Sequence, residues 1–274
     1  MRRFLVIIAF ALALFGCTDN KSVQKKKSDA EVAEQRKRDS FALKVGVRQT
    51  IDCLPAFVAD DEGIFDSLGV DVRLLHYSSM LDCNEALKKG KLNGAFTDVK
   101  RIDYLAKHNS LNMQTVLSFD SRWQLVANRM SRLQSLKQLS EKMVAMSRNS
   151  ATDYLCAHML DSVKLSGEKV FRIQINDVDL RLKMLLNNEI DAVWLPEPQA
   201  SVAKKYGNNV LATSGNDGEK LEVLAFTGAT MNDERIKKQV DLFLRAYGIA
   251  KDRIKKGGNK YYLSLVEKYY KYKL

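Results

Sequence analysis

Three prolines, four cysteines, three histidines and two tryptophans are all that this 274-residue chain holds of those residue types. With so little proline and only 14 glycines a collagen-like repeat is excluded, and a chain that is 46% hydrophobic and 28% charged is not a long disordered one. The histidines, His76, His108 and His158, stand far apart, and there is neither a Cys-x-x-Cys nor a His-x-x-x-His pairing, so no metal or other cofactor is expected. Gly-x-Ser-x-Gly and a glycine-rich phosphate loop are missing too, which removes two common sequence signs of an enzyme. Long apolar runs are absent except at the N-terminus, so a polytopic membrane protein is excluded. What the chain has in excess is positive charge, a formal net +11, and enough length to bury one large core or two medium ones without covalent staples.

Met1-Arg2-Arg3 is followed by twelve residues, Phe4 to Phe15, without a polar side chain, and then by Gly16-Cys17. Twelve residues are too few to cross about 30 Å of hydrocarbon as a helix, but they match the apolar region of a secretory signal behind a basic start. Leu14-Phe15-Gly16-Cys17 resembles the bacterial lipobox, in which a small residue precedes a cysteine that is acylated and becomes the new N-terminus. Phe15 departs from the small or β-branched residue usual at its position. Residues 1–17 are therefore expected to be a lipoprotein signal, with Cys17 as the lipid anchor that holds the protein to a membrane of the bacterial cell envelope, facing the periplasm. An uncleaved anchor, or a signal peptide with an incidental cysteine, is the alternative. Residues 18–40 carry seven basic and five acidic side chains with no hydrophobic period and read as a flexible tether. The remaining charge is spread along the body. Basic and aromatic residues interleave only in Lys268-Tyr269-Tyr270-Lys271-Tyr272-Lys273, read as the solvated face of a terminal helix with attraction to a membrane surface as the alternative, and for an exported chain no nucleic-acid partner is expected.

The body begins with a strand, Phe41 to Val47, a turn at Thr50-Ile51-Asp52, and a helix whose first turn holds Pro55. Strands over Gly69–Leu75 and Asn93–Phe96 each lead into a helix, Leu81–Lys88 and the stretch around Ile102–Ala106. Three strand-to-helix units in succession imply a parallel sheet. After expected strands at Met113–Phe119 and Trp123–Asn128 the pattern recurs, with strands at Met143–Met146, Val170–Ile175 and Asp191–Trp194 and helices at Ala151–Ser162 and Leu180–Leu186 and after Pro198. The chain then returns through Leu221–Phe226 and a helix from Asp233 to Lys255. Two lobes follow, the first of residues 41–122 and 222–274, the second of residues 123–221.

Several segments carry a resemblance. Leu54-Pro55-Ala56-Phe57-Val58-Ala59 with Glu62-Gly63-Ile64-Phe65, then Gly69-Val70-Asp71-Val72, then Glu85-Ala86-Leu87 with Gly90-Lys91-Leu92-Asn93-Gly94-Ala95, resemble the opening of the periplasmic solute-binding proteins related to the sulfonate, taurine and thiamine-pyrimidine binders. Ser147 to Tyr154, Asn188-Glu189-Ile190-Asp191-Ala192 and Leu195-Pro196-Glu197-Pro198 fit the same family. The resemblance implies a two-lobed α/β, type II periplasmic-binding fold, each lobe a mostly parallel sheet flanked by helices, that closes on a small molecule and hands it to an ABC permease as a monomer. The family usually shows Asp-Ala where this chain has Asn93-Gly94.

In open α/β sheets ligands lie beyond the carboxyl ends of the strands. Those ends are Asp52-Cys53-Leu54, Ser78-Ser79, Thr97-Asp98, Ser150-Ala151-Thr152, Asp177 and Glu197. Ser150 with Asp153 three positions later has the form of a capping box, and the N–H groups of Ala151 and Thr152 are candidates to receive an anionic or strongly polar ligand atom, unless Ser150 only caps its helix. Asp98, Asp177 and Glu197 are placed toward one cleft. A carboxylate in a closing cleft is costly unless a donor meets it, so the three together favour a ligand with amino groups or ring N–H, such as a pyrimidine, over a sulfonate. Singly, each acid is a helix-start residue. Trp123 and Trp194 are core candidates first and ring-stacking candidates second.

An enzyme on a related fold, such as the thiamine-pyrimidine synthase or the menaquinone-pathway enzymes, is the alternative, but the synthase resemblance would need a clustered cysteine motif and an active-site histidine. A lipoprotein that senses its ligand is the third class. With Cys17 acylated, Cys53, Cys83 and Cys156 remain. Cys53 and Cys83 follow neighbouring strands and Cys156 lies inside a second-lobe helix, so a Cys53–Cys83 disulfide is expected, against the alternative of three free buried thiols.

Overall fold

The computed structural model describes residues 41–165, 169–215 and 218–274, and its compact body runs from Leu43 to Leu274. Residues 1–40, on which the expected signal sequence, the expected anchor Cys17 and the expected tether fall, lie outside the described residues. The chain forms β1 (Leu43–Val47), α1 (Leu54–Asp61), α2 (Ile64–Ser67), β2 (Val72–His76), α3 (Met80–Lys88), β3 (Gly94–Asp98), α4 (Val99–Asn109) and β4 (Met113–Ser118). It continues as β5 (Gln124–Ala127), β6 (Met143–Met146), α5 (Ala151–Ser162), β7 (Phe171–Gln174), α6 (Val178–Leu186), β8 (Ala192–Leu195), α7 (Gln199–Lys205) and β9 (Asn209–Thr213). It ends with β10 (Glu222–Thr227), α8 (Gly228–Asn232) and α9 (Glu234–Tyr270).

Two five-stranded sheets result, ordered β2-β1-β3-β10-β4 and β7-β6-β8-β5-β9. Pairings among β1, β2 and β3, and among β6, β7 and β8, are parallel, as strand-helix-strand units require. Each sheet also holds one strand of opposite sense, and it is the strand that enters from the other lobe: β10 is antiparallel to β3 and β4, and β5 to β8 and β9. Each sheet has its own core. Leu43, Val45 and Val47, on one face of β1, pack with Phe96, Phe226 and Phe243, while Trp194, Leu125 and Met146 are buried in the second lobe. Fully burying such a side chain is worth about 1.5–3 kcal/mol.

The structure departs from the sequence-based expectations in three places. β9 was not expected; all five of its residues are half-buried, so it shows no alternation to read. The last helix does not end at Lys255 but continues past a break at Gly258 (φ 68°, ψ −170°) to Tyr270. The C-terminal tail is more than a solvated face: Tyr270 is buried with its hydroxyl donating to the Thr50 carbonyl at 2.8 Å, and the Tyr272 hydroxyl donates to Asp179 Oδ1 at 2.7 Å. The tyrosine rings turn inward and the lysines between them stay at the surface, which is how amphipathic side chains divide.

The disulfide expectation is also corrected, because Cys53, Cys83 and Cys156 are all free and buried. Alternation along β1 is the reason. Cys53 packs with Val45 and Val47 on one face, whereas Gly46 faces the other way, where a Cβ would stand 2.7 Å from Cys83 Sγ. The two thiols thus lie on opposite faces of one sheet. Burial pushes Cys53 and Cys83 up to about 12 and Cys156 up to about 11, so none is reactive at neutral pH. Peptide mapping of unreduced, denatured protein is expected to return all three as alkylatable thiols, and a peptide pair joined through any two of them would refute this arrangement.

Candidate functional site

The lobes meet where β1, β2 and β7 end. Ser79 and Asp177 form an antiparallel backbone bridge, Ile51 N–H donates to the Glu197 carbonyl at 3.0 Å, and Gln199 Nε2 donates to the Gln49 carbonyl at 2.8 Å. These contacts frame a cavity of about 220 Å3. Its first-lobe wall is Arg48, Gln49 and Thr50 after β1, and His76, Tyr77, Ser78 and Met80 around the end of β2. Its second-lobe wall is Asn176, Val178 and Asp179 at the start of α6. Asp179 Oδ1 is held by Gln199 Nε2 at 2.9 Å and by the Tyr272 hydroxyl, and the exposed His76 ring stacks on Phe57 at 5.2 Å. A pocket at strand carboxyl ends, carrying one guanidinium, one carboxylate, one imidazole and several neutral hydrogen-bonding groups, is suited to binding a small polar molecule.

Behind the cavity lies a buried set of charges. Arg48 Nη2 pairs with Glu222 Oε2 at 3.1 Å and its Nε donates to the Phe96 carbonyl at 3.3 Å. Glu222 Oε1 accepts from Trp123 Nε1 at 2.8 Å. Glu222 stands opposite Asp98 in the β10–β3 register, so two acids share a dry sheet position. Burial first, then repulsion by Glu222, pushes Asp98 up to about 7; burial pushes Glu222 up to about 7 and Asp52 up to about 6. Arg181, on α6, donates to the Ile175 and Trp194 carbonyls at 2.8 and 2.7 Å and lies 5.7 Å above the Trp123 ring, and burial lowers it to about 9.

Among the described residues, Ser78 is the one sequence-expected contact on the cavity wall. Ser79 caps α3 and Asp177 caps α6. Leu54 is packed in the first core, and Thr97 is buried with its hydroxyl 3.8 Å from Met80 Sδ. Trp123 and Trp194 both sit in the second core. Glu197 accepts from Gln124 Nε2 at 2.7 Å and from Ser201 N–H at 3.1 Å. Ser150 caps α5 through Thr152 N–H, but Asp153 reaches back to Asn149 N–H and not to Ser150, so the capping box is displaced by one residue. Asp98 accepts from Arg101 N–H at 2.8 Å and, across the lobes, from Ala151 N–H at 3.0 Å. Asp98, Asp177 and Glu197 each serve a helix start. Arg48, Arg101, Arg181, Asp179 and Glu222 were not singled out from the sequence; the place of Arg48 just past a strand end is the one local signal that could have found any of them.

Two α/β lobes connected by two crossings, with a cavity between them at the strand ends, define the periplasmic-binding-protein class of fold. The alkanesulfonate-binding protein SsuA from Xanthomonas axonopodis pv. citri, solved bound to MOPS, shares it with a TM-score of 0.69 at 14% identity over 83% of this chain and 78% of that one. The periplasmic nitrate-binding protein NrtA from Synechocystis PCC 6803 has a TM-score of 0.69 at 15% identity, over 83% and 66%. A zinc-bound ligand-binding component of an ABC-type import system from Staphylococcus aureus has a TM-score of 0.66 at 14% identity, over 83% and 79%. The chain itself belongs to the NMT1/THI5-like family, which matches residues 50–252. No curated protein matches it by sequence. Among the described residues no helix is long and apolar enough to cross a membrane, and no cluster of three or more His, Cys, Asp or Glu could hold a metal.

Proposed function

We propose that this protein is a monomeric, lipid-anchored solute-binding protein of an ABC importer, which captures a small polar, nitrogen-bearing, pyrimidine-like molecule between its lobes and delivers it to a permease. The cavity of about 220 Å3 at the strand ends carries this proposal. The lobes, residues 41–122 with 222–274 and residues 123–221, swing about the two crossings. Acceptors favour a ligand that brings donors: Asp179 lines the cavity, and Asp98 Oδ2 and Gln199 Oε1 are buried with no hydrogen-bond partner. Opening exposes the strand ends bearing Asp52, Thr97, Ser150 and Glu197 to the same space. The lipobox-like Leu14-Phe15-Gly16-Cys17 supports attachment through Cys17.

Native mass spectrometry of protein purified from its own host, followed by calorimetry against pyrimidines, sulfonates and amino acids, tests the proposal. A 1:1 small-molecule adduct and saturable binding of a pyrimidine are expected, with the chain starting at an acylated Cys17. Asp179→Asn keeps the Oδ1 atom that Gln199 and Tyr272 use but removes the charge. Losing one charge-assisted hydrogen bond costs about 1.5–3 kcal/mol, so affinity is expected to fall roughly ten- to hundredfold with little change in melting temperature. Catalytic turnover of the bound molecule, or undiminished affinity in Asp179→Asn, would overturn the assignment.

A further inference from the structure

At the first turn of α5 a backbone N–H of the second lobe, that of Ala151, meets the first lobe, and the start of a twelve-residue helix favours an anion. In this chain four N–H groups at and before that turn are already engaged. Ser147 N–H donates to Thr152 Oγ1 at 2.9 Å, Asn149 N–H to Asp153 Oδ2 at 3.0 Å, and Thr152 N–H to Ser150 Oγ at 3.2 Å. Ala151 N–H is taken by Asp98 Oδ1 at 3.0 Å, a carboxylate that the first lobe inserts from the end of β3. Arg101, one turn further along α4, completes the clasp: its Nη2 donates to Ser147 Oγ at 3.3 Å and to the Arg148 carbonyl at 2.7 Å. Asp98 is fully buried, and its second oxygen, Oδ2, has no hydrogen-bond partner. The junction therefore holds the protein's own buried acceptor against the start of α5, where an open helix start would offer a donor.

We infer that Asp98 is a specificity determinant of the cleft: its carboxylate fills the seat that α5 offers to an anion, so the protein refuses sulfonates, sulfate and nitrate and admits neutral or cationic molecules. This rests on the capture of a small molecule between the lobes, and it separates the chain from the sulfonate- and nitrate-binding proteins whose fold it shares. A ligand anion would have to displace Asp98 from two N–H groups, so the first oxyanion contact is lost.

Calorimetry of the full chain with sulfate, nitrate and methanesulfonate is the test. The parent is expected to bind none of the three more tightly than about 1 mM. Asp98→Ala empties the seat and frees Ala151 N–H and Arg101 from their acid, and is expected to bind at least one of these anions at least about tenfold more tightly than the parent. Asp98→Asn keeps a carbonyl oxygen against Ala151 N–H and is expected to behave as the parent does. Should Asp98→Ala not fold, the amide resonance of Ala151 in the parent decides: no saturable movement with sulfate supports the assignment, and a saturable one refutes it. Tight anion binding by the parent, or a folded Asp98→Ala that gains none, overturns it. Because the probes are simple anions, protein isolated from the host without any small molecule would remove the capture proposal and leave this result standing.

Discussion

Replacing Arg48 with methionine is expected to lower stability by about 3–5 kcal/mol, the cost of removing one partner of a buried ion pair and leaving the other uncompensated. Arg48 is 5% exposed and is the cation bonded to Glu222, which faces Asp98 across the sheet. A loss of that size lowers the melting temperature by roughly 6–20 °C for a body of this length. Adding Glu222→Gln to the variant is expected to recover part of the loss, and the double-mutant cycle reads the coupling directly. Asp52, Asp98 and Glu222 also set a pH dependence. Their native values are raised above those of unfolded carboxyls, so the folded chain holds protons that the unfolded chain has released. Their favourable contribution is complete below about pH 4 and is lost as pH rises through about 6 to 7. Denaturant titrations between pH 5 and 8 should show the parent losing stability as pH rises, Glu222→Gln flattening the decline and Arg48→Met steepening it. An Arg48→Met chain within about 1 kcal/mol of the parent at pH 7.5 would refute the role given to this pair.

Gly94→Ala is expected to cost about 3 kcal/mol, at the upper end of what overpacking one methyl does. A Cβ at Gly94 would stand 2.6 Å from the Ala225 carbonyl oxygen and 2.7 Å from Phe226 Cγ. The first of these is backbone of the paired strand β10, so no rotamer change relieves the contact and β3 and β10 must separate. Those are the strands that hold Asp98 opposite Glu222, so the clash strains the charge cluster as well. Gly248→Ala is the control. It sits inside α9 with no atom within 4 Å of its would-be Cβ, and exchanging glycine for alanine in a helix gains about 0.5–1 kcal/mol. Phe226→Leu in the Gly94→Ala background is expected to restore part of the stability by vacating the ring's place. Equal stabilities for Gly94→Ala and Gly248→Ala in urea denaturation would refute this account. In this chain Gly94 makes room for Phe226, and Asn93 Oδ1 accepts from Lys44 N–H at 2.8 Å to tie β3 to β1.

Much of the architecture was legible before any coordinates. Alternating apolar residues in Leu43–Val47, the helical spacing of Leu81–Lys88, and the order of glycine-bounded strand starts from Gly69 to Asp191 are properties of neighbours in sequence, and together they led to two α/β lobes and a site at the strand ends. Helix starts were legible for the same reason: Ser150, Asp98 and Asp177 cap α5, α4 and α6 through N–H groups two or three residues away. β9 escaped because half-buried residues on a sheet edge carry no period.

The sequence alone determined which segments become strands and helices, because a chain's local pattern decides which of its own faces must leave water. Only the tertiary structure decided what those faces meet. Arg48 reaches Glu222 across 174 residues, Asp98 reaches Ala151 across 53, and Tyr272 reaches Asp179 across 93, all of them pairs set by how the strands cross between lobes. The same holds for the cysteines, since nearness in the order of strands placed Cys53 beside Cys83 while the pleat of β1 put them on opposite faces. Whether the start of α5 is an open anion receptor or is already filled by the protein's own carboxylate is likewise a matter of which residue of the other lobe arrives there, and here that residue is Asp98.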